Sequence, residues 1–415
     1  MSDQDILDHA RAEGSYGKVA AGLAAAAALL AAQKAAAQLS APPKTLVVLF
    51  QRFAADGLMA LVPHADPTWN DESIRPAATR PLELVDSGVA GWKFNKVLNN
   101  SAAPFVRDIW DAGDAAFIPA TRIERDTRSH FTSQAIMETA GATDADIGFC
   151  SRALGALPLP VEPILRGVSL SPYVPDLGRG NYGFLSIADP DTFSLASRHP
   201  GIHEPILGTY QGQTQEPGAV AQRTAEAIEN VSTQVRNAGI TKFPEIDVPN
   251  PSAAAWGLWN AARFIRARVG TQILTTDVGG WDHHANVRGN TEFHLGRLGR
   301  ALVYFRRALT VEEWANTTVL VMTEFGRTIR ANNSSGTDHG YGSLMWVAGG
   351  SVNQGVYGQW QPLANGLAID ATPGLNDYQR AFADVLGPNG LGLDAAALAA
   401  VLPALSSYTP YGILR

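Results

Sequence analysis

Residues 272–284 read QILTTDVGGWDHH. The stretch divides in two. Positions 272–276 are apolar and β-branched, a pattern that predicts a short buried strand. The glycine pair at 279–280 predicts a turn, and Asp277, Asp282, His283 and His284 crowd around it. Two carboxylates and two imidazoles directly after a strand predict a site at a strand end. Working outward, comparable strand patterns occur at 45–50 (TLVVLF), 115–119, 164–170, 317–323 and 344–348. Helical patterns fall at 130–140, 219–238, 253–269, 291–309 and 377–386. This alternation predicts an α/β fold, a mostly parallel central sheet with helices on both faces. Trp256, Trp259, Ala262, Phe264 and Ile265 suit the buried stripe of the helix over 253–269. In such a sheet, ligands bind beyond the carboxyl ends of the strands.

The chain has 415 residues, 46% hydrophobic and 17% charged, so it can bury a large core and is not mostly disordered. Its net charge is −7, and no run of Lys and Arg tracks a phosphate backbone, which argues against nucleic acid as a partner. Its one cysteine, Cys150, excludes an internal disulfide framework and a thiolate metal cage. The apolar surroundings of Cys150 predict a buried, inert thiol. Residues 1–43 form an Ala-rich N-terminal segment and linker ahead of a single domain over 44–415. Within that segment 19–32 (VAAGLAAAAALLAA) is too short and too weakly apolar for a membrane span. Two readings of it stand. A degenerate export signal, with a small-residue cleavage site at 35–37, implies the periplasm or cell envelope. A retained helix packed on the domain or on another subunit fits the cytoplasm equally. The acidic Asp3, Asp5, Asp8 and Glu13, and the lack of an Arg-Arg pair, weigh against the first. Gly/Pro/Asn-rich loops at 61–81, 171–190, 198–218 and 350–376 separate the elements. Loops this long tend to carry function or subunit contacts.

Four places follow predicted strands. After 45–50, Asp56-Gly57 suits a turn that aims a carboxylate inward, or an ordinary Asp-Gly turn. After 115–119, Ser129 is placed to cap the helix that opens at His130, where backbone N–H groups also stabilise an anion. Capping and a nucleophilic role predict the same position. After 272–276, Asp282 and His284 can aim at one centre. Oxygen and imidazole donors together suit zinc, manganese or iron and disfavour a pure calcium site. The alternative is an Asp–His pair that braces the loop. After 317–323, Glu324 ends an apolar strand, where a lone carboxylate is costly to bury. It needs a cation, a metal or an arginine such as Arg327. Asp338-His339 follows between glycines. One sheet edge can collect Asp56, Asp282, His284, Glu324, Asp338 and His339.

Five ordered stretches carry a family resemblance. They are Arg52-Phe53-Ala54-Ala55-Asp56-Gly57-Leu58, Ser129-His130-Phe131, Gly279-Gly280-Trp281-Asp282-His283-His284, Glu324-Phe325-Gly326-Arg327 and Gly336-Thr337-Asp338-His339-Gly340. From 45 to 386 the chain resembles domain-of-unknown-function family 1501 (DUF1501), a sulfatase-like group placed in the alkaline-phosphatase-like superfamily. The family pattern has glycines where this chain has Phe53 and Ala54, and commonly opens on a twin-arginine export signal that this chain lacks. The resemblance implies an alkaline-phosphatase-like fold with one or two divalent metals (zinc, manganese, calcium or magnesium) at the strand ends. Such metals lower the pKa of a serine, threonine or water nucleophile and neutralise an oxyanion. Carried over, it implies Asp282, His284, Glu324 and His339 as ligands, with Asp56 and Asp338 as weaker candidates. It implies Ser129, His130, Arg52 and Arg327 as the catalytic set, Arg52 or Arg128 clamping an anionic oxygen.

Two functions of different class follow. One is a metal-dependent hydrolase of small phosphate or sulfate esters. The other is a non-catalytic envelope or assembly protein that keeps the fold and forms a homo-oligomer, or meets an envelope partner, through residues 1–40.

Overall fold

A computed structural model describes residues 42–142, 147–158, 165–180, 182, 184–193, 230–363, 374–403, 405 and 409–415. The Ala-rich segment through residue 41, the loop at 198–218 and the first part of the helix expected at 219–238 lie outside the described residues.

The opening strand β1 (Thr45–Gln51) is buried along its whole length. Alternate side chains leave a strand on opposite sides, and here both sides are core. Leu46, Val48 and Phe50 join one apolar cluster while Val47 and Leu49 join the other. The strands that follow in chain order are β2 (Leu61–Val62), β3 (Leu84–Asp86), β4 (Lys93–Asn95), β5 (Ala115–Arg122), β6 (Gly167–Ser169) and β7 (Phe184–Ser186). Then come β8 (Ile273–Val278), β9 (Thr317–Met322), β10 (Arg327–Ala331), β11 (Thr337–His339), β12 (Ser343–Gly349), β13 (Gly355–Val356) and β14 (Asn376–Asp377).

Nine of these make the central sheet, in the order β13-β5-β12-β9-β1-β8-β6-β7, with β14 also paired to β5. Every pairing is parallel except the two that β12 makes with β5 and β9. Only β12 runs backwards. One edge of the sheet therefore gathers the carboxyl ends of β1, β5, β8 and β9 and the start of β12. The hairpin of β10 and β11 joins the end of β9 to the start of β12, so it sits on the same edge.

Seven α-helices of five residues or more complete the described core: α1 (His130–Glu138), α2 (Phe149–Ala156), α3 (Ala253–Ala267), α4 (Val287–Ala308), α5 (Val311–Ala315), α6 (Tyr378–Leu386) and α7 (Ala395–Val401). α3 and α4 pack on the face of Val47 and Leu49, through Leu258, Phe264, Leu298 and Phe305. α1, α2, α6 and α7 pack on the face of Val48 and Phe50, through Met137, Leu154, Phe382 and Leu398. Each such buried side chain contributes roughly 1.5–3 kcal/mol. The Ser252 hydroxyl accepts from Ala255 N–H to start α3, and Arg268, left-handed at φ 52°, ends it. Trp259, Ala262, Phe264 and Ile265 are buried as expected, whereas Trp256 is only partly so and donates its indole N–H to the Ala188 carbonyl at 2.9 Å. Cys150 is buried on α2. Among the described residues, no helix is long and apolar enough to cross a membrane.

Candidate metal centre

The site grows from α1 and three strand ends. On α1, His130, Gln134 and Glu138 stand four residues apart and so share one face of the helix. That face meets the end of β1 and the end of β9. Glu324, just past β9, has a fully buried side chain and accepts from four donors. These are His130 Nδ1 at 2.9 Å, Gln134 Nε2 at 2.9 Å, Phe53 N–H at 2.9 and 3.2 Å to its two oxygens, and Thr323 Oγ1 at 3.3 Å.

Three imidazoles then turn inward in the same way. His130 gives Nδ1 to Glu324, His284 gives Nδ1 to Asp338 Oδ1 at 2.9 Å, and His339 gives Nδ1 to the Arg128 carbonyl at 2.8 Å. All three partners are acceptors, which fixes the Nδ1–H tautomer and turns each Nε2 toward Asp282. His284 Nε2 lies 2.9 Å and His339 Nε2 3.2 Å from Asp282 Oδ1, and the two nitrogens are 3.1 Å apart. His130 Nε2 is 3.5 Å from Asp282 Oδ2 and is buried with no hydrogen-bond partner. His130, Asp282 and His339 each offer a ligand atom within 4.8 Å of the others. Two bare imidazole nitrogens cannot face each other at that distance without a cation between or beside them. A proton can serve, and so can a metal: donors around a tetrahedral zinc stand roughly 3.3 Å apart. The orphaned His130 Nε2 and the mixed imidazole–carboxylate donor set fit a divalent ion.

Charge is balanced locally. Burial disfavours the Asp282 carboxylate, but the Arg327 guanidinium, donating at 2.6 Å, outweighs it with help from His284 and His130 and holds its pKa below the usual range. Asp338 is held low in the same sense, burial being overcome by Asn332 and His284. Burial likewise opposes a charge on His130, yet the bond to Glu324 and the negative charges of Glu324 and Asp282 raise its pKa. His283 points elsewhere. Burial and the neighbouring His294 push its pKa down to about 4, and Nδ1 meets Thr291 Oγ1 at 2.8 Å.

The structure brings His130, Asp282, His284 and His339 together, and it separates other candidates from them. Asp56 forms a buried ion pair with Arg75 at 2.7 Å and makes none of the cluster's contacts. Glu324 is saturated by donors, so it positions His130 rather than presenting a free ligand oxygen. Asp338 likewise holds His284. Arg52 is spent on Asp277, Gln134 and Glu138, with bonds of 2.8 to 3.3 Å, and does not face the centre as an anion clamp. Arg327 pairs with Asp282 and with the Thr337 carbonyl, not with Glu324. Arg128 contributes its carbonyl, while its exposed guanidinium pairs with Asp126 at 3.2 Å. Ser129 occupies the N-cap position of α1, but its hydroxyl makes no cap bond. Gln134 and Glu138 were not among the expected site residues, and Asp277 was placed beside the turn without a role of its own. The four-residue spacing from His130 was the available signal for the first two.

A family model described as "Protein of unknown function (DUF1501)" matches residues 212–373. That span contains Asp282, His284, Glu324, Arg327, Asp338 and His339, and excludes His130 and the turn after β1. No curated protein matches the chain.

Proposed function

We propose that this chain is a divalent-metal-dependent hydrolase of small phosphate or sulfate esters, built on an alkaline-phosphatase-like fold. One observation carries the reading: three imidazoles, each pinned at Nδ1, turn Nε2 toward one aspartate. His130, Asp282, His284 and His339 would hold the ion. When bound, it would supply a Lewis acid for the ester oxygen and lower the pKa of the attacking hydroxyl or water. Glu324 and Asp338 orient the imidazoles, and Arg327 orients Asp282 while adding positive charge that favours an anionic substrate. Ser129 directly precedes His130 with its hydroxyl unused for capping, which supports our assignment of it as nucleophile. The exposure of Asp282 and His284 supports access for a small ester. A zinc or manganese ion suits these donors better than calcium or magnesium. A periplasmic or envelope location belongs to the same proposal and rests on the Ala-rich segment alone.

Elemental analysis of the purified protein, with turnover of aryl phosphates and sulfates before and after chelation, tests the proposal. Stoichiometric metal and chelator-sensitive turnover are expected. Neither metal nor turnover after adding zinc, manganese, magnesium or calcium would reject it.

A second reading has its own support. Asp282 Oδ1 accepts from Arg327 and lies 2.9 and 3.2 Å from Nε2 of His284 and His339, so the cluster closes on itself once those imidazoles are protonated. That suits a non-catalytic envelope or assembly protein. A metal-free oligomer held through residues 1–40 would favour it.

A further inference from the structure

We infer that Phe53 sets the specificity of this site: its ring walls the centre on one side and offers a surface to an aromatic or apolar group on the alcohol side of the ester. The inference rests on the hydrolase reading above. Phe53 and Ala54 follow β1 with φ of 81° and 59°. Side chains crowd their own backbone in that left-handed region, and glycine is the residue that adopts it freely. The turn is held by backbone groups. Phe53 N–H donates to Glu324 at 2.9 and 3.2 Å, and Ala55 N–H donates to Thr323 Oγ1 at 3.1 Å. A glycine at position 53 would make the same bonds without strain. A phenylalanine kept there against its own conformational preference points to a use for the ring.

The surroundings indicate the use. The half-buried ring stands edge-on to His130, centroids 5.4 Å apart and planes at 81°. On another side it borders Gly279, where a β-carbon would meet Phe53 Cε2 at 3.8 Å and Cδ2 at 4.0 Å and nothing else within 4 Å. Gly279 and Gly280 are exposed. An aromatic ring thus flanks bare, open glycine backbone next to an imidazole of the centre. Phe131, the residue after His130, is 81% exposed. A flat apolar group could lie against Phe53 with no side chain of residue 279 in its way.

Titration calorimetry of zinc-loaded protein with phenylphosphonate and methylphosphonate, neither of which has an ester bond to cleave, tests this. The wild type is expected to bind the phenyl compound roughly three- to tenfold more tightly. Phe53→Gly should bring the ratio close to one, and Phe53→Tyr should keep it. The melting midpoint of Phe53→Gly should stay within roughly 3 °C of wild type, because relief of strain offsets the added chain entropy of glycine. A larger fall assigns the ring to packing and overturns the inference. So does equal binding of the two compounds by the wild type, or a preference that survives in Phe53→Gly, and either leaves the ester reading standing. Binding of neither compound overturns both.

Discussion

Glu324 shows how one buried carboxylate can be kept without a metal of its own. Its donors hold it in place, and it in turn aims His130. The raised pKa of His130 gives a pH-dependent consequence. A folded-state value above the ordinary 6.5 stabilises the protein below 6.5, and that contribution is lost as pH rises through the raised value. In chelated protein, NMR titration should place the His130 midpoint above 6.5, and Glu324→Gln should lower it. Unchanged midpoints in the variant would contradict the pairing. Asp56 makes the opposite point. Asp56→Ala should destabilise by about 3–5 kcal/mol, because it leaves the buried Arg75 charge without its carboxylate and with backbone carbonyls only, and should leave metal content intact. Denaturant melts and elemental analysis read the two effects separately. The convergence of Asp282, His284 and His339 was legible in the sequence because carboxylates and imidazoles cluster beside glycines after strands. The pairing of Asp56 was not legible, because its ion partner, Arg75, lies inside a loop that carried no sign of a buried charge. The bonds of Arg52 were not legible either, because its partners Gln134 and Glu138 come from α1.

At the scale of elements, the hairpin of β10 and β11 is what carries His339 to the centre. Thr337 N–H bonds the His283 carbonyl at 3.1 Å, and Asn332 Nδ2 bonds the His284 carbonyl at 2.9 Å, so the hairpin and the loop after β8 are stitched together. Gly336 sits at the seam. A β-carbon there would come 2.1 Å from the His284 carbonyl carbon. Gly336→Ala should therefore push the two loops apart, costing roughly 1–3 kcal/mol of stability and about 10–100-fold in metal affinity. Unchanged affinity would show that the seam does not set the site. The long strands were legible from their apolar, β-branched runs, which the two-sided burial of β1 explains. β2, β3, β4, β10 and β11 were not, since two to five residues are too few to display a period. The stripe of His130, Gln134 and Glu138 becomes meaningful only once α1 is known to lie against the ends of β1 and β9.

For the molecule as a whole, the reversed direction of β12 matters as much as the parallel strands. Because β12 starts at the edge where β1, β5, β8 and β9 end, the hairpin between β9 and β12 stays on that edge, and residues from 130 to 339 meet at one place. The mostly parallel α/β sheet with helices on both faces was legible from the alternation of patterns along the chain; the reversal was not, because an apolar strand reads the same in either direction. A metal bound by four ligands from three separate segments stabilises the folded chain and not the unfolded one. At a hundredfold excess over its Kd it should add about 2.7 kcal/mol, seen as a raised melting midpoint that chelator abolishes. The most direct measurement is calorimetric titration of chelated, full-length protein with zinc, beside Asp282→Ala and His339→Ala. One ion per chain, bound at least roughly tenfold more weakly by either variant, is the expected result. No saturable binding, or binding that both variants retain in full, would contradict a metal centre built from these four residues.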